Sequence, residues 1–177
     1  MAAPLSNRIA DRLPETAGLY HRLLLVVGRA STGKTKALRD LAEKHGWPLV
    51  NVNLALSERL LDLTSKQRAL RVPRLLGEIV DAHPGDVVLL DNTEILFSTE
   101  LHQDPLRLLQ GLGRNRTVMA TWSGEIDAEN LTYAAPGHPE YRRCPRSQVI
   151  VVPAADIRPP TEHVRNGSQN AGKEKVA

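Results

Sequence analysis

Aromatic side chains are scarce in this 177-residue chain: one Phe, two Trp and three Tyr, 3% of the total. Surfaces that bind RNA or single strands by stacking, such as RRM and OB folds, need rows of exposed aromatic rings, so that class is excluded. Cysteine occurs once, as Cys144. One thiol builds neither a disulfide framework nor a Cys-rich zinc site, and an ordinary reduced thiol is the expectation. His83, His102 and His138 have no ligand spacing to one another. No apolar run approaches the ~20 residues that a bilayer span needs. The opening MAAPLSNRIADRLPE has no apolar signal-peptide core, so the expected location is the cytoplasm, with no membrane partner. Charge of one sign is missing too: 23 Lys and Arg stand against 20 Asp and Glu, a net +3. No general affinity for polyanions follows from that balance.

What is present is a series of short, continuous apolar runs separated by helical periodicity. LLLVV (23–27) and DVVLLD (86–91) read as strands buried on both faces, with PLVNVN (48–53), TVMATW (117–122) and QVIVV (148–152) as further strands. Residues 33–45 repeat apolar side chains at helical spacing and stop at Gly46. LALSERLLDL and a second segment opening at Pro73 read as helices joined by a basic linker, and DPLRLLQGLG as a helix closed by glycines. The polar stretch between the fourth and fifth strands reads as loop with a short helix. Alternation of this kind predicts an α/β fold, a three-layer sandwich around a parallel five-stranded sheet. Residues 1–152 form the expected domain. The segment 153–177, rich in Pro, Gly, Asn, Ser and Lys, is expected to be a disordered tail.

The first strand runs straight into Gly28-Arg29-Ala30-Ser31-Thr32-Gly33-Lys34-Thr35. The pattern is G-x-x-x-x-G-K-[ST], the phosphate-binding P-loop, in its required place between strand and helix. Backbone N–H groups of such a loop wrap an anion, and glycine supplies angles that a Cβ would penalise. The following helix aims its positive end at the same anion. Lys34 adds a point charge for the β- and γ-phosphates, and the Thr35 hydroxyl is a ligand for Mg²⁺. ATP and Mg²⁺ are the expected cofactors. GTP is disfavoured because no [NT]-K-x-D guanine-reading motif occurs; TSKQ at 64–67 lacks the aspartate.

Metal binding beside a P-loop needs a carboxylate, and Asp91 closes the buried strand VVLLD where ligands of open α/β sheets bind. The same residue, with Glu94 three positions on, also has the spacing of a helix-capping pair that would need no metal. Glu94 is the candidate to polarise an attacking water, since Asn92 holds the position directly after the aspartate. The extra strand between the P-loop and Asp91 resembles the additional-strand ATPases, RecA-like and AAA+, and by that resemblance the strand order is 5-1-4-3-2. The same resemblance puts Ser123, or Thr121, where a polar residue senses the γ-phosphate. It also marks Arg142 and Arg143, clustered with Arg146, as arginine-finger candidates reaching a neighbouring subunit; a solvated basic loop is the alternative. Arg59, Lys66, Arg68, Arg71 and Arg74 form a second basic run, either a soluble helix face or a contact for DNA or an acidic partner.

GRASTGKT, PLVNVNLALSERLLDLTSKQRALRVPRLL, VVLLDNTEILF and LTYAAPGHPEYRR together resemble the BrxF family, small P-loop proteins of BREX type 3 bacteriophage-exclusion systems. The resemblance covers residues 20–150. It implies a bacterial cytoplasmic NTPase acting beside a DNA methyltransferase, a large ATPase and a phosphatase-like protein. Three functions are then in play. The first is a minimal, self-associating ATPase that drives assembly or remodelling of a defence complex. The second is a switch that binds ATP with little turnover, favoured by Asn92 and by the expected lack of a C-terminal lid domain. The third is a small-molecule kinase, against which stands the lack of an evident acceptor pocket.

Overall fold

The computed structural model describes residues 2–155. Strand β1 (Leu23–Gly28) is central because Leu23, Leu24, Leu25, Val26 and Val27 are buried on both sides. It pairs in parallel with β4 (Thr117–Asp127) and with β7 (Ile150–Pro153). Beyond β4 lie β3 (Val87–Asp91) and then β2 (Leu49–Asn51), also parallel, giving the order β2-β3-β4-β1-β7.

Helices cover both faces of this sheet. On one side, α1 (Leu5–Arg12) and α2 (Lys34–His45) send Ile9, Ala37, Leu38 and Leu41 against Leu24 and Val26. On the other, α3 (Val52–Leu60), α4 (Ser65–Asp81) and α5 (Pro105–Leu112) pack Leu56, Leu76 and Leu109 against Leu23, Leu25 and Val27. Successive β1 side chains alternate between the two cores, which is why a continuous apolar run is required there. Among the described residues no helix is long and apolar enough to cross a membrane.

Several sequence-based expectations are corrected. The five-stranded parallel sheet is a seven-stranded, mostly parallel one. The strand expected as the fifth is the seventh, because the presumed loop contains β5 (Asn130–Tyr133) and β6 (Arg142–Pro145). β4 runs on past Trp122, turns at Ala128 and Glu129, and pairs antiparallel with β5, which pairs with β6. The scarce aromatics hold this hairpin. Phe97 meets Trp122 edge-on at 4.9 Å and stacks on Tyr133 at 3.6 Å, and the Trp122 Nε1–H donates to the Thr132 carbonyl at 3.0 Å.

The strand expected over 48–53 is cut short. Asn51 caps α3, its side chain accepting from the Leu54 N–H at 3.0 Å, so the helix begins at Val52. Pro73 does not open a helix but sits inside α4, which starts at a Thr64–Gln67 capping box. The proline ring cannot donate to the Ala69 carbonyl one turn back. The Gln103 side-chain amide donates to that carbonyl instead, at 2.7 Å. The expected tail begins too early, since Pro153 ends β7; residues 156–177, on which the rest of that expectation and the expected lack of a lid fall, lie outside the described residues.

Candidate functional site

Gly28, the last residue of β1, is opposite Ser123 on β4. A Cβ on Gly28 would lie 2.6 Å from Thr32 Oγ1 and 2.7 Å from the Ala154 Cβ, so only glycine lets the chain turn here. The turn passes through two left-handed residues, Ser31 at φ 61° and Gly33 at φ 86°. Such alternation makes a concave nest of N–H groups. Gly33 then starts α2, and no side chain caps that helix, so its first N–H groups face the loop uncapped. Thr35 is exposed in the first turn of α2.

Lys34 is only 7% exposed. Its ammonium donates to the Gly28 carbonyl at 2.8 Å, to the Arg29 carbonyl at 2.7 Å and to Thr32 Oγ1 at 3.4 Å. Burial lowers its pKa below the ordinary lysine value, and the nearby charges of Glu94 and Asp91 oppose that shift. The cation therefore lies within the electrostatic reach of both carboxylates that the sequence singled out.

Asp91 ends β3, one residue past the Leu90–Ala120 pairing with β4. Its carboxylate accepts from the Thr121 hydroxyl at 3.0 Å, with both residues buried. Thr93 in turn donates its hydroxyl to the Thr121 carbonyl at 2.6 Å. The capping-pair alternative fails: the short helix Thr93–Phe97 starts at Asn92 with no side-chain cap. Asn92 itself is left-handed at φ 51°, and its carbonyl accepts from the Asn53 N–H at 3.0 Å. Glu94 accepts from the Ser123 hydroxyl at 2.5 Å. The register thus lays two polar rows across the sheet edge, Asp91–Thr121 and Glu94–Ser123, with Ser123 facing the first residue of the loop.

The loop tip is tied to β4 as well, through an ion pair between Arg29 and Glu125. Tyr133, beyond Ser123, has its hydroxyl pKa raised to about 12, by burial first and then by Glu140 and Glu94. Neither Glu125 nor Tyr133 stood out in the sequence; the alternation of Gly124, Glu125, Ile126 and Asp127 was the available signal.

Residues 28–35, Asp91, Glu94 and Ser123 therefore converge on one edge. Arg142 and Arg143 lie apart, on β6. Arg142 donates to the Tyr141 carbonyl at 3.1 Å and Arg143 pairs with Asp127 at 3.5 Å, both within the hairpin region. Much of the other basic run is engaged inside the chain: Arg59 and Arg74 both pair with Glu78, and Arg68 donates to the carbonyls of Leu60 and Leu63.

No protein-family model matches the sequence, and no curated protein matches it either. Among solved structures, the chain is similar to AMPPCP-bound DnaA from Aquifex aeolicus, with 17% identity over 68% of this chain and a TM-score of 0.32. It is also similar to C. elegans PCH-2, with 15% identity over 84% of this chain and a TM-score of 0.34. The chain spans 39% of the length of each of those two structures.

Proposed function

We propose that this chain binds ATP with Mg²⁺ on the Gly28–Thr35 loop and hydrolyses it. The observation that carries this reading is the Lys34 ammonium, buried at the sheet edge under the influence of Asp91 and Glu94. Loop N–H groups from Arg29 to Gly33 and the uncapped start of α2 suit a phosphate. Thr35 and Asp91 offer the hard oxygen ligands that Mg²⁺ prefers. Among the described residues no cluster of His, Cys, Asp or Glu forms a metal site by itself, so a magnesium ion here would share its ligands with phosphate and water. Such an ion, when bound, would neutralise charge on the phosphates. Glu94, which accepts from the Ser123 hydroxyl, would take a proton from the attacking water. Arg142 or Arg143 of a second copy supplies positive charge to the transferring group, which makes self-association part of the reading. The resemblance of GRASTGKT and the following segments to BrxF supports a role in remodelling a BREX defence complex, beside a methyltransferase, a large ATPase and a phosphatase-like protein.

Asn92 favours a second reading, a nucleotide-sensing switch. It stands directly after Asp91 in a left-handed conformation and offers a carbonyl already bonded to Asn53.

Titration of fluorescent Mg-ATP onto wild type and Lys34→Ala tests the binding. Saturable binding lost in the variant is the expected result; equal binding by both overturns the site. Phosphate release by wild type and Glu94→Gln separates enzyme from switch. An ATPase loses turnover in the variant and keeps binding, whereas a switch binds equally and turns over equally slowly in both. Specific activity that rises with protein concentration is expected of a shared site. Concentration-independent activity from a monomer removes the arginine assignment.

A further inference from the structure

A cavity of about 750 Å³ opens beside the loop tip, between Arg29 and Ala30 on one side and the segment from Ser123 to Tyr141 on the other. That volume falls in the range of small-molecule sites and is far larger than a water molecule needs. Its walls come from the end of β4, from β5 and from the connection to β6, none of which the loop-bearing parallel sheet requires.

The cavity has a definite chemistry. Tyr133, Ala134, Ala135, Pro136 and Tyr141 make much of the wall apolar and partly aromatic. Among the charged lining residues, Glu125, Asp127 and Glu140 outnumber the single cation, Arg29. Arg29 is spent on Glu125, and Asp127 is spent on Arg143 from outside the lining. Glu140 makes no ion pair among the described residues. The Glu140 backbone N–H donates to His138 Nδ1 at 3.0 Å, which ties that ring to the start of the Glu140 segment. An unpaired carboxylate beside a largely apolar wall is complementary to a cation on an apolar body. An anion would meet uncompensated negative charge.

We infer that this cavity binds an organic cation, an alkyl amine or alkyl guanidinium, with its charge directed to Glu140 and its apolar chain to the tyrosine walls. Ser123, which donates to Glu94, also lines the cavity, so the bound cation would sit close to that pair. Arg29 and Ala30 of the loop line the cavity, so its test is made without nucleotide.

Calorimetric titration of the full chain without nucleotide tests it, using agmatine, the tripeptide Gly-Arg-Gly and the neutral n-pentylurea. Saturable binding of agmatine or the tripeptide is expected, with the urea at least about tenfold weaker. The tighter of the two cations distinguishes a free metabolite-like amine from a protein side chain. Glu140→Gln is expected to weaken the cation about tenfold, and Tyr141→Ala to weaken it through lost contact. Glu140→Gln is expected to keep its Mg-ATP affinity, so failure of nucleotide binding and failure of this site are separable. No saturable binding at about 10 mM, equal affinity for the urea, or full affinity in both Glu140→Gln and Tyr141→Ala overturns the inference.

Discussion

The Thr121 hydroxyl donates to the Asp91 carboxylate at 3.0 Å, and both side chains are shut away from solvent. β4 thus fixes the carboxylate of β3 in place before any ligand arrives. Thr121→Val keeps the side chain's shape and removes the bond, leaving a buried oxygen unpaired. The expected cost is about 1–3 kcal/mol in urea unfolding. Affinity for Mg-ATP is expected to fall while affinity for ATP in EDTA stays constant, because the loss acts through Asp91. Equal losses with and without the metal would separate Asp91 from magnesium.

Gln103 and Pro73 form the second test. Gln103 serves the Ala69 carbonyl that Pro73 leaves without its helical donor. Gln103→Leu is expected to destabilise the wild type by about 1 kcal/mol. In a Pro73→Ala background the helix supplies its own N–H, so the same substitution should cost much less. A double-mutant cycle by urea unfolding measures that coupling; strictly additive effects would contradict it.

Tyr133 should titrate late. Its pKa is raised to about 12, against an ordinary 10, because burial and the nearby carboxylates disfavour the phenolate. The folded protein keeps this proton longer than the unfolded chain. The stability it contributes is therefore complete below pH 10 and is lost as pH rises from 10 towards 12. Phenolate absorbance during alkaline titration is expected to show a delayed phase from Tyr133. Tyr133→Phe should remove that delayed phase.

Gly124 lets β5 approach β4. A Cβ there would overlap the Thr132 carbonyl, which also accepts the Trp122 indole N–H. Gly124→Ala is expected to cost about 1–3 kcal/mol and to change the near-ultraviolet circular dichroism of Trp122. An unchanged aromatic spectrum would mean the hairpin is anchored elsewhere.

The loop and its strand were legible in the sequence because their constraints are local. Gly28, Gly33 and Lys34 have a fixed spacing, and β1 must be apolar at every position between two cores. Asp91 was legible for the same reason, as the polar stop of a buried run. The hairpin was not legible. β5 and β6 are each four residues long, and β5 is held by Phe97, Trp122 and Tyr133, which come together only in the fold. The start of α4 was misplaced because a proline favours a first helical turn, and that signal competed with the Thr64–Gln67 box. Nor does residue spacing reveal that the Gln103 amide makes an internal proline tolerable.

Lys34 grips the carbonyls of Gly28 and Arg29, so the loop supplies its own counterpart to the ammonium. An incoming guest has to outbid two neutral oxygens for that cation. A singly charged anion has little to offer in such an exchange, while a polyphosphate brings several charges at once. Under the proposed function, the self-clasped lysine would set a threshold that favours guests of high charge density.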